Sequence, residues 1–212
     1  TGKLILKPGI TNNTRYDGGA APGVVKYKDQ NGDGKITTAD RTVIGNAMPK
    51  WFGGITNSFS FKGIDFSFML QYSYGNDVFN ATRQFATGSQ DQRYNMLAEV
   101  ADRWSPTNAS NKVPSTKGYV KGDVYSRFVE DGSFLRLKNM TLGYSLPKKW
   151  INKIHISKLR IYGTAQNLFC ISGYSGYDPE VSTAASNPMT PGLDWGAYPK
   201  SRVFTFGLDV QF

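Results

Sequence analysis

The chain has 212 residues, 39% of them hydrophobic, with 25 Lys and Arg against 16 Asp and Glu for a formal charge of +9. No run approaches the ~18 consecutive apolar residues of a membrane-spanning helix, which excludes a helical membrane protein. The basic excess is scattered through turns and loops without a basic helix or a nucleic-acid motif, so no nucleic-acid partner is expected.

Residues 1–28 read as loop, broken by Asn12-Asn13, Gly18-Gly19 and Pro22-Gly23. Thr1-Gly2-Lys3 lacks the charged and apolar regions of a secretion signal, so an exported protein containing this chain is expected to start upstream of it. Then comes Asp29-Gln30-Asn31-Gly32-Asp33-Gly34-Lys35-Ile36-Thr37-Thr38-Ala39-Asp40. Asp29, Asn31 and Asp33 stand at loop positions one, three and five, Gly34 supplies the turn, Lys35 offers its carbonyl and Asp40 closes the set. This is the spacing of a calcium loop, and a structural divalent cation is expected on Asp29, Asn31, Asp33, Lys35 and Asp40. Asp40 stands where a longer, bidentate Glu is usual, and an Asx-rich turn without an ion is the competing reading. No helical pattern precedes the loop, which argues against a paired sensor.

From Trp51 the pattern changes to period two. Trp51–Phe61 puts Trp51, Gly53, Ile55, Phe59 and Phe61 on one face, interrupted by Asn57. Lys62-Gly63 makes a tight hairpin into Ile64–Tyr74, where Ile64, Phe66, Phe68, Leu70, Tyr72 and Tyr74 alternate with Asp65, Ser67, Met69, Gln71 and Ser73. Further strands are expected at Phe134–Leu146, from Lys158 to about Ile171, and at Arg202–Phe212. In the first of these, Leu135 and Leu137 have the opposite parity to Met140, Leu142 and Tyr144, which predicts either a bulge near Lys138–Met140 or a strand end above the membrane where facing is free. Strands of about 9–11 residues match a tilted bilayer crossing, whereas globular strands average about 5–6. The expected fold is therefore all-β: a transmembrane antiparallel β-barrel fragment, with Ile64, Phe66, Phe68 and Leu70 toward lipid and Trp51, Tyr72, Tyr74, Tyr144 and Phe212 in the interfacial girdles. Five strands cannot close a barrel, so the rest of the wall must come from elsewhere.

The connections alternate long and short. Residues 76–126 and 173–200 are long, while Lys62-Gly63 and Pro147–Lys158 are short, which assigns the long ones to the extracellular side and the short ones to the periplasm. The organisation expected is an extracellular loop over 1–50 with the calcium-type loop 29–40, then five barrel strands over 51–212. Tyr94, Leu97, Ala98 and Ala101 fall at helical spacing and predict a helix over Asp91–Trp104, stopped by Ser105-Pro106. Aromatic residues of the long connections, Trp104, Tyr174, Tyr177 and Trp195, are candidates for contact with substrate or a lid, against a plain loop-anchoring role. No catalytic constellation is visible: His155 and Cys170 are single and read as structural, and Glu99 with Asp102 reads as a solvated face. An enzyme is not expected. A soluble calcium-dependent β-sandwich binding module shares the strand alternation and the acidic loop, and is the alternative.

Several blocks in order carry a resemblance. Asp29–Gly45 (DQNGDGKITTADRTVIG), Pro49-Lys50, Gly75-Asn76-Asp77, Arg127–Tyr144 (RFVEDGSFLRLKNMTLGY), Leu159–Phe169 (LRIYGTAQNLF), Ser175–Val181 (SGYDPEV) and the terminal strand resemble the carboxy-terminal part of the SusC/RagA family of TonB-dependent outer-membrane transporters of Bacteroidetes. The resemblance implies the last five strands of a 22-stranded barrel closed by an amino-terminal plug. It further implies a SusD-like surface lipoprotein over the outer mouth, import of oligosaccharides or peptides, and energy from TonB through the amino-terminal part.

Overall fold

The computed structural model describes residues 21–88, 94–110, 112–115, 118–119, 123–183 and 189–212. The loop reading of residues 1–20, the start of the expected helix at 91–93, and part of the second long connection (184–188) lie outside the described residues. In chain order the elements are β1 (Trp51–Phe61), β2 (Ile64–Tyr74), β3 (Asp77–Asn80), α1 (Ala81–Gly88), β4 (Val129–Asp131), β5 (Phe134–Ser145), α2 (Lys148–Ile151), β6 (Lys158–Ser172), β7 (Leu193–Asp194) and β8 (Val203–Gln211). Short 3-10 helices occur at Thr38–Asp40, Ala98–Asp102, Ser126–Phe128 and Asn152–Ile154. The chain divides into two compact units, one of Thr1–Gly45 with Asn80–Val129 and one of Asn46–Phe79 with Glu130–Phe212.

In the second unit, β1, β2, β5, β6 and β8 form one antiparallel sheet in that order, so each long strand pairs with the next long strand of the chain. The β1–β2 turn has positive φ at both Lys62 (48°) and Gly63 (86°), the conformation whose twist matches a two-residue hairpin. A Cβ on Gly63 would also lie 2.7 Å from the Ser145 carbonyl oxygen, so this position takes glycine on two grounds.

The register explains the switch of parity in β5. Met69 pairs with Asn139 and Leu70 with Leu137, which leaves Lys138 as an extra residue. One inserted residue inverts the facing of all that precedes it, and this brings Leu135 and Leu137 onto the face of Met140 and Leu142. On β6 the same irregularity is absorbed between Gln166 and Phe169, where Asn167 adopts a φ of 51°. The outcome is one apolar face across all five strands, for example along Phe59, Phe66, Leu142, Gly163 and Phe206. That face is uncovered: Phe61 is 68% exposed, Phe206 85% and Leu208 67%. A buried sandwich core would hide such a face, whereas a bilayer receives it. Trp51 pairs with Tyr74 at one edge of the apolar band, and Tyr144 pairs with Ile64 at the other.

A small sheet in the order β4-β3-β7 lies beyond the long-connection end of these strands, where the Phe79 N–H donates to the Gly192 carbonyl at 2.8 Å. Val78 is buried there almost completely.

The first unit has its own core in Val100, Val113, Tyr119, Tyr125 and Phe128, the last fully buried. Its helix is not where the spacing predicts it. Tyr94–Leu97 is not helical and only Ala98–Asp102 forms a 3-10 turn. Tyr94, Leu97, Ala98 and Ala101 are exposed, and the buried residue is Val100. Leu97 is extended (ψ 149°) with no side-chain cap, and its N–H donates to the Ala86 carbonyl at 3.0 Å. Tertiary pairing of the backbone there displaces a locally feasible helix. The α-helix that forms, α1, starts after Asn80, whose side-chain oxygen accepts the Arg83 N–H at 2.8 Å, and ends on Gly88. Asn before and Gly at the end of an eight-residue stretch are legible start and stop signals.

Candidate functional site: the polar sheet face and the long connections

The face opposite the apolar one is polar by the same alternation. At the short-turn end, Arg160 of β6 reaches across β5 to Asp65 of β2, with Nε donating to Oδ1 at 2.9 Å and Nη2 to Oδ2. The strand crossed offers Gly143, where a Cβ would stand 2.5 Å from atoms of both partners. Glycine there is what lets the bridge form. Tyr162 lies over Gly207 in the same way, and the Arg160 guanidinium is 4.9 Å from the Tyr162 ring centre. Thr141 and Thr164 share a hydrogen bond of 3.1 Å farther along, and Ser67, Gln71, Gln166 and Thr205 continue the lining.

At the other end of the same face, Arg136 sits in β5 opposite Gln71 and Cys170. Arg136 and its partner Asp178 are both buried, 2.5 Å apart between Nη2 and Oδ1. Glu180 takes Lys138 at 2.9 Å and Lys200 at 2.5 Å, and lies 3.5 Å from the Arg136 Nε, which makes no hydrogen bond. Burial works to raise the Glu180 pKa, but the hydrogen bonds from Lys200 and Lys138 outweigh it and hold it below the ordinary range. These contacts fold the connection after β6 back onto the polar side of the sheet. Tyr174 fixes the same connection, donating to Asp194 at 2.6 Å while Ala197 N–H reaches the other Asp194 oxygen at 3.3 Å. Burial and this carboxylate acceptor together push the Tyr174 hydroxyl well above its usual pKa. Ser175 binds Glu130 through both N–H and hydroxyl, at 2.9 and 2.8 Å.

In the first unit, the Asp29–Asp40 loop closes on its own backbone. Asp29 accepts the Gly32 and Gly34 N–H groups at 2.7 and 2.8 Å, Asn31 accepts that of Asp33 at 3.0 Å and Asp33 that of Lys35 at 2.8 Å. Asp40 accepts Thr37 and Gln30 N–H groups at 2.7 and 2.9 Å, which lower its pKa. Thr37 and Asp40 form a reciprocal capping box on the 3-10 turn. Among the described residues no group of three His, Cys, Asp or Glu is placed to hold a metal ion. Each ionised carboxylate keeps acceptor capacity beyond the single N–H that each of its oxygens takes here, so the donor set remains chemically suited to a hard cation. A groove of about 950 Å³ runs beside this loop, lined among others by Tyr27, Thr37, Arg41, Asp123 and Tyr125. Elsewhere in the unit Arg83 grips Glu99 bidentately at 2.8 and 2.9 Å, and the Arg127 guanidinium packs on the Phe128 ring at 5.2 Å.

The four candidate aromatic residues divide. Trp104 is half-buried, its ring filling the space above Gly23, and its backbone N–H donates to the Val113 carbonyl at 2.9 Å. Tyr174 is buried with its hydroxyl engaged. Both hold loops in place. Tyr177 and Trp195 are exposed, at 81% and 56%. His155 is an exposed turn residue with a φ of 58°, and Cys170 a free thiol on β6. The ion pairs Asp65–Arg160 and Arg136–Asp178 were not expected from sequence, because register decides which charged residues of separate strands meet.

No family model matches the chain. It is 36% identical over 200 residues to TonB-dependent receptor P3 of Formosa agariphila, covering 92% of this chain and 20% of that protein. It is 32% identical over 199 residues to TonB-dependent receptor SusC of Bacteroides thetaiotaomicron, covering 93% and 18%. Among solved structures, the RagAB peptide importer in its open-open state matches 84% of this chain and 19% of its own, with a TM-score of 0.70 at 26% identity. A further structure of the RagAB peptide transporter gives a TM-score of 0.71 over the same shares, also at 26% identity. The chain belongs to the SusC/RagA-type TonB-dependent receptors. This receptor chain spans about a fifth of the length of the curated relatives it matches. Its sheet is a stretch of outer-membrane barrel wall, as the alternation predicts, with the apolar face toward lipid and the polar face toward the lumen.

Proposed function

We propose that this chain supplies part of the wall and outer mouth of a TonB-dependent importer that takes up oligosaccharides or peptides together with a SusD-like surface lipoprotein. The observation that carries this reading is the five-stranded sheet with one uncovered apolar face and one polar, ion-paired face, in a chain whose relatives are named TonB-dependent receptors. The rest of the barrel, a plug and the TonB contact belong to the remainder of the protein. The chain has no enzymatic role in this reading: its charged clusters pair with each other and lock loops.

Strand parity sends the connections after β2 and after β6 out at one end of the sheet, since Ser73, Phe134 and Ser172 lie in line. That end is extracellular, and Tyr177 and Trp195 are exposed aromatic residues there for a lid or substrate, on a connection that Tyr174 holds in place. Impermeant thiol labelling of whole cells tests this in a Cys170→Ser background. Labelling is expected at Ser110→Cys and Tyr177→Cys and not at Lys149→Cys, and the reverse pattern overturns the topology.

We further propose that Asp29, Asn31, Asp33, the Lys35 carbonyl and Asp40 would hold a structural calcium ion that fixes the Asp29–Asp40 loop. Its support is the ligand spacing and the closed loop already gathered around the Asp29 carboxylate. Calorimetry on the intact transporter, with Asp33→Ala as control, is expected to show binding that the variant loses. No heat at saturating calcium sinks it.

A further inference from the structure

The short-turn end of the sheet is rich in lysine and poor in acid. Between β5 and β6, residues 146–158 contain Lys148, Lys149, Lys153 and Lys158 and no Asp or Glu. The Lys62-Gly63 hairpin is held against the same end, because the Ser145 N–H donates to the Gly63 carbonyl at 2.7 Å. The Leu146 N–H donates to the Leu159 carbonyl at 2.9 Å, and that of Ser157 to Gln211 at 2.8 Å, so the longer connection is tied down at both ends. The two carboxylates of this end are both engaged on the lumen face: Asp65 with Arg160, and Asp209 with Lys158 at 3.7 Å. Lys62, Lys148, Lys149 and Lys153 are exposed and form no ion pair among the described residues.

Among them stands Trp150, 64% exposed, while its neighbour Ile151 is buried and anchors α2. An exposed indole flanked by ammonium groups at the end of an apolar strand face is the chemistry of a membrane interface: the ring suits the headgroup level, and the lysine stems lie along apolar surface with their charges at the phosphates. A like-charge group of this kind also repels itself until anions neutralise it. The other end of the sheet differs, since Lys138 and Lys200 there pair with Glu180.

We propose that Lys62, Lys148, Lys149, Lys153 and Trp150 form a binding surface for anionic phospholipid headgroups in the leaflet on the short-turn side. The inference rests on the membrane reading of the sheet. Charge complementarity selects an anionic over a zwitterionic headgroup, each lysine near such a surface contributing roughly a fivefold preference that salt screens.

The test uses the intact transporter in lipid nanodiscs of equal phosphatidylglycerol and phosphatidylethanolamine, with native mass spectrometry of the retained lipids. Wild type is expected to retain phosphatidylglycerol preferentially. The variant K148Q/K149Q/K153Q is expected to lower that preference on the order of tenfold or more, with heat-modifiable migration of the folded barrel unchanged. K148R/K149R/K153R keeps the charge and is expected to keep the preference. Equal retention of both lipids by wild type, or a glutamine variant that still prefers phosphatidylglycerol, overturns the proposal. Loss of the preference in the arginine variant overturns it too, since charge would then not be the cause. A wild-type protein that fails to enter the discs at all refutes the membrane reading and this inference with it.

Discussion

The two ends of the polar sheet face both carry an arginine–carboxylate pair, and they differ in what surrounds it. Arg136 and Asp178 have side chains 4% and 5% exposed, and the pair joins a strand to a distant loop. Arg160 and Asp65 are 23% and 37% exposed, and the pair joins two strands already held by the sheet. A buried pair is costly to break because the survivor is left charged without water, whereas an exposed pair contributes little to stability. The same chemistry therefore latches a loop at one end and links two strands across a third at the other.

The sharpest way to break this contrast is Asp178→Ala, which takes from the buried Arg136 its hydrogen-bonded carboxylate and leaves it only Glu180 at 3.5 Å. A loss of about 3–5 kcal/mol is expected, seen as proteolytic release of the connection after β6 at conditions where the strands stay protected. A loop that stays protected would show the latch to lie elsewhere. Next in size is Phe68→Arg on the apolar face, expected to cost about 2–4 kcal/mol near the bilayer midplane in equilibrium unfolding from lipid. Phe68 found against a polar lumen would contradict that value.

Gly143→Ala probes the exposed pair from beneath. The added methyl would stand 2.5 Å from atoms of both Arg160 and Asp65, so the bridge must shift, at a cost of about 1–3 kcal/mol in barrel unfolding. Asp65→Asn, which weakens the pair without steric change, is expected to cost about 0–1 kcal/mol. If Asp65→Asn proved as costly as Asp178→Ala, the distinction drawn from burial would fail.

The smallest effect is one of pH. Glu180 is held below its ordinary value of 4.5 in the folded loop, so the stability it lends is fully present above 4.5 and disappears as pH falls through the lower folded value. Loop protection against an acid-tolerant protease is expected to be flat from neutrality to about pH 5 and to drop below pH 4.5. The drop should vanish in Glu180→Gln.

Much of this is legible in the amino-acid sequence. β1 and β2 begin and end where the alternation places them, because each strand has one face in lipid and one facing water, and that requirement is written residue by residue. The bulge at Lys138 was legible as one of two readings of the parity break, and the pairing of Met69 with Asn139 and of Leu70 with Leu137 selects it over a strand end above the membrane. The helix expected over Asp91–Trp104 failed because Leu97 gives its N–H to Ala86 and its apolar neighbours face out, a choice made by packing within a compact unit. Of the candidate aromatics, sequence could not tell Tyr174, locked to Asp194, from Tyr177 in the open, since both are tyrosines in one connection.

The sequence by itself determined the number, length and facing of the membrane strands, the tight Lys62-Gly63 turn, and the concentration of lysine between β5 and β6. Those follow from local periodicity and turn chemistry, which act over a few residues. Tertiary structure alone decided that Asp65 meets Arg160 across Gly143, that Asp178 and Glu180 return to Arg136 and Lys138, and that the long-connection aromatics split into anchors and exposed groups. Such meetings depend on strand register and on the return path of a loop, and both are set by contacts between residues far apart in the chain.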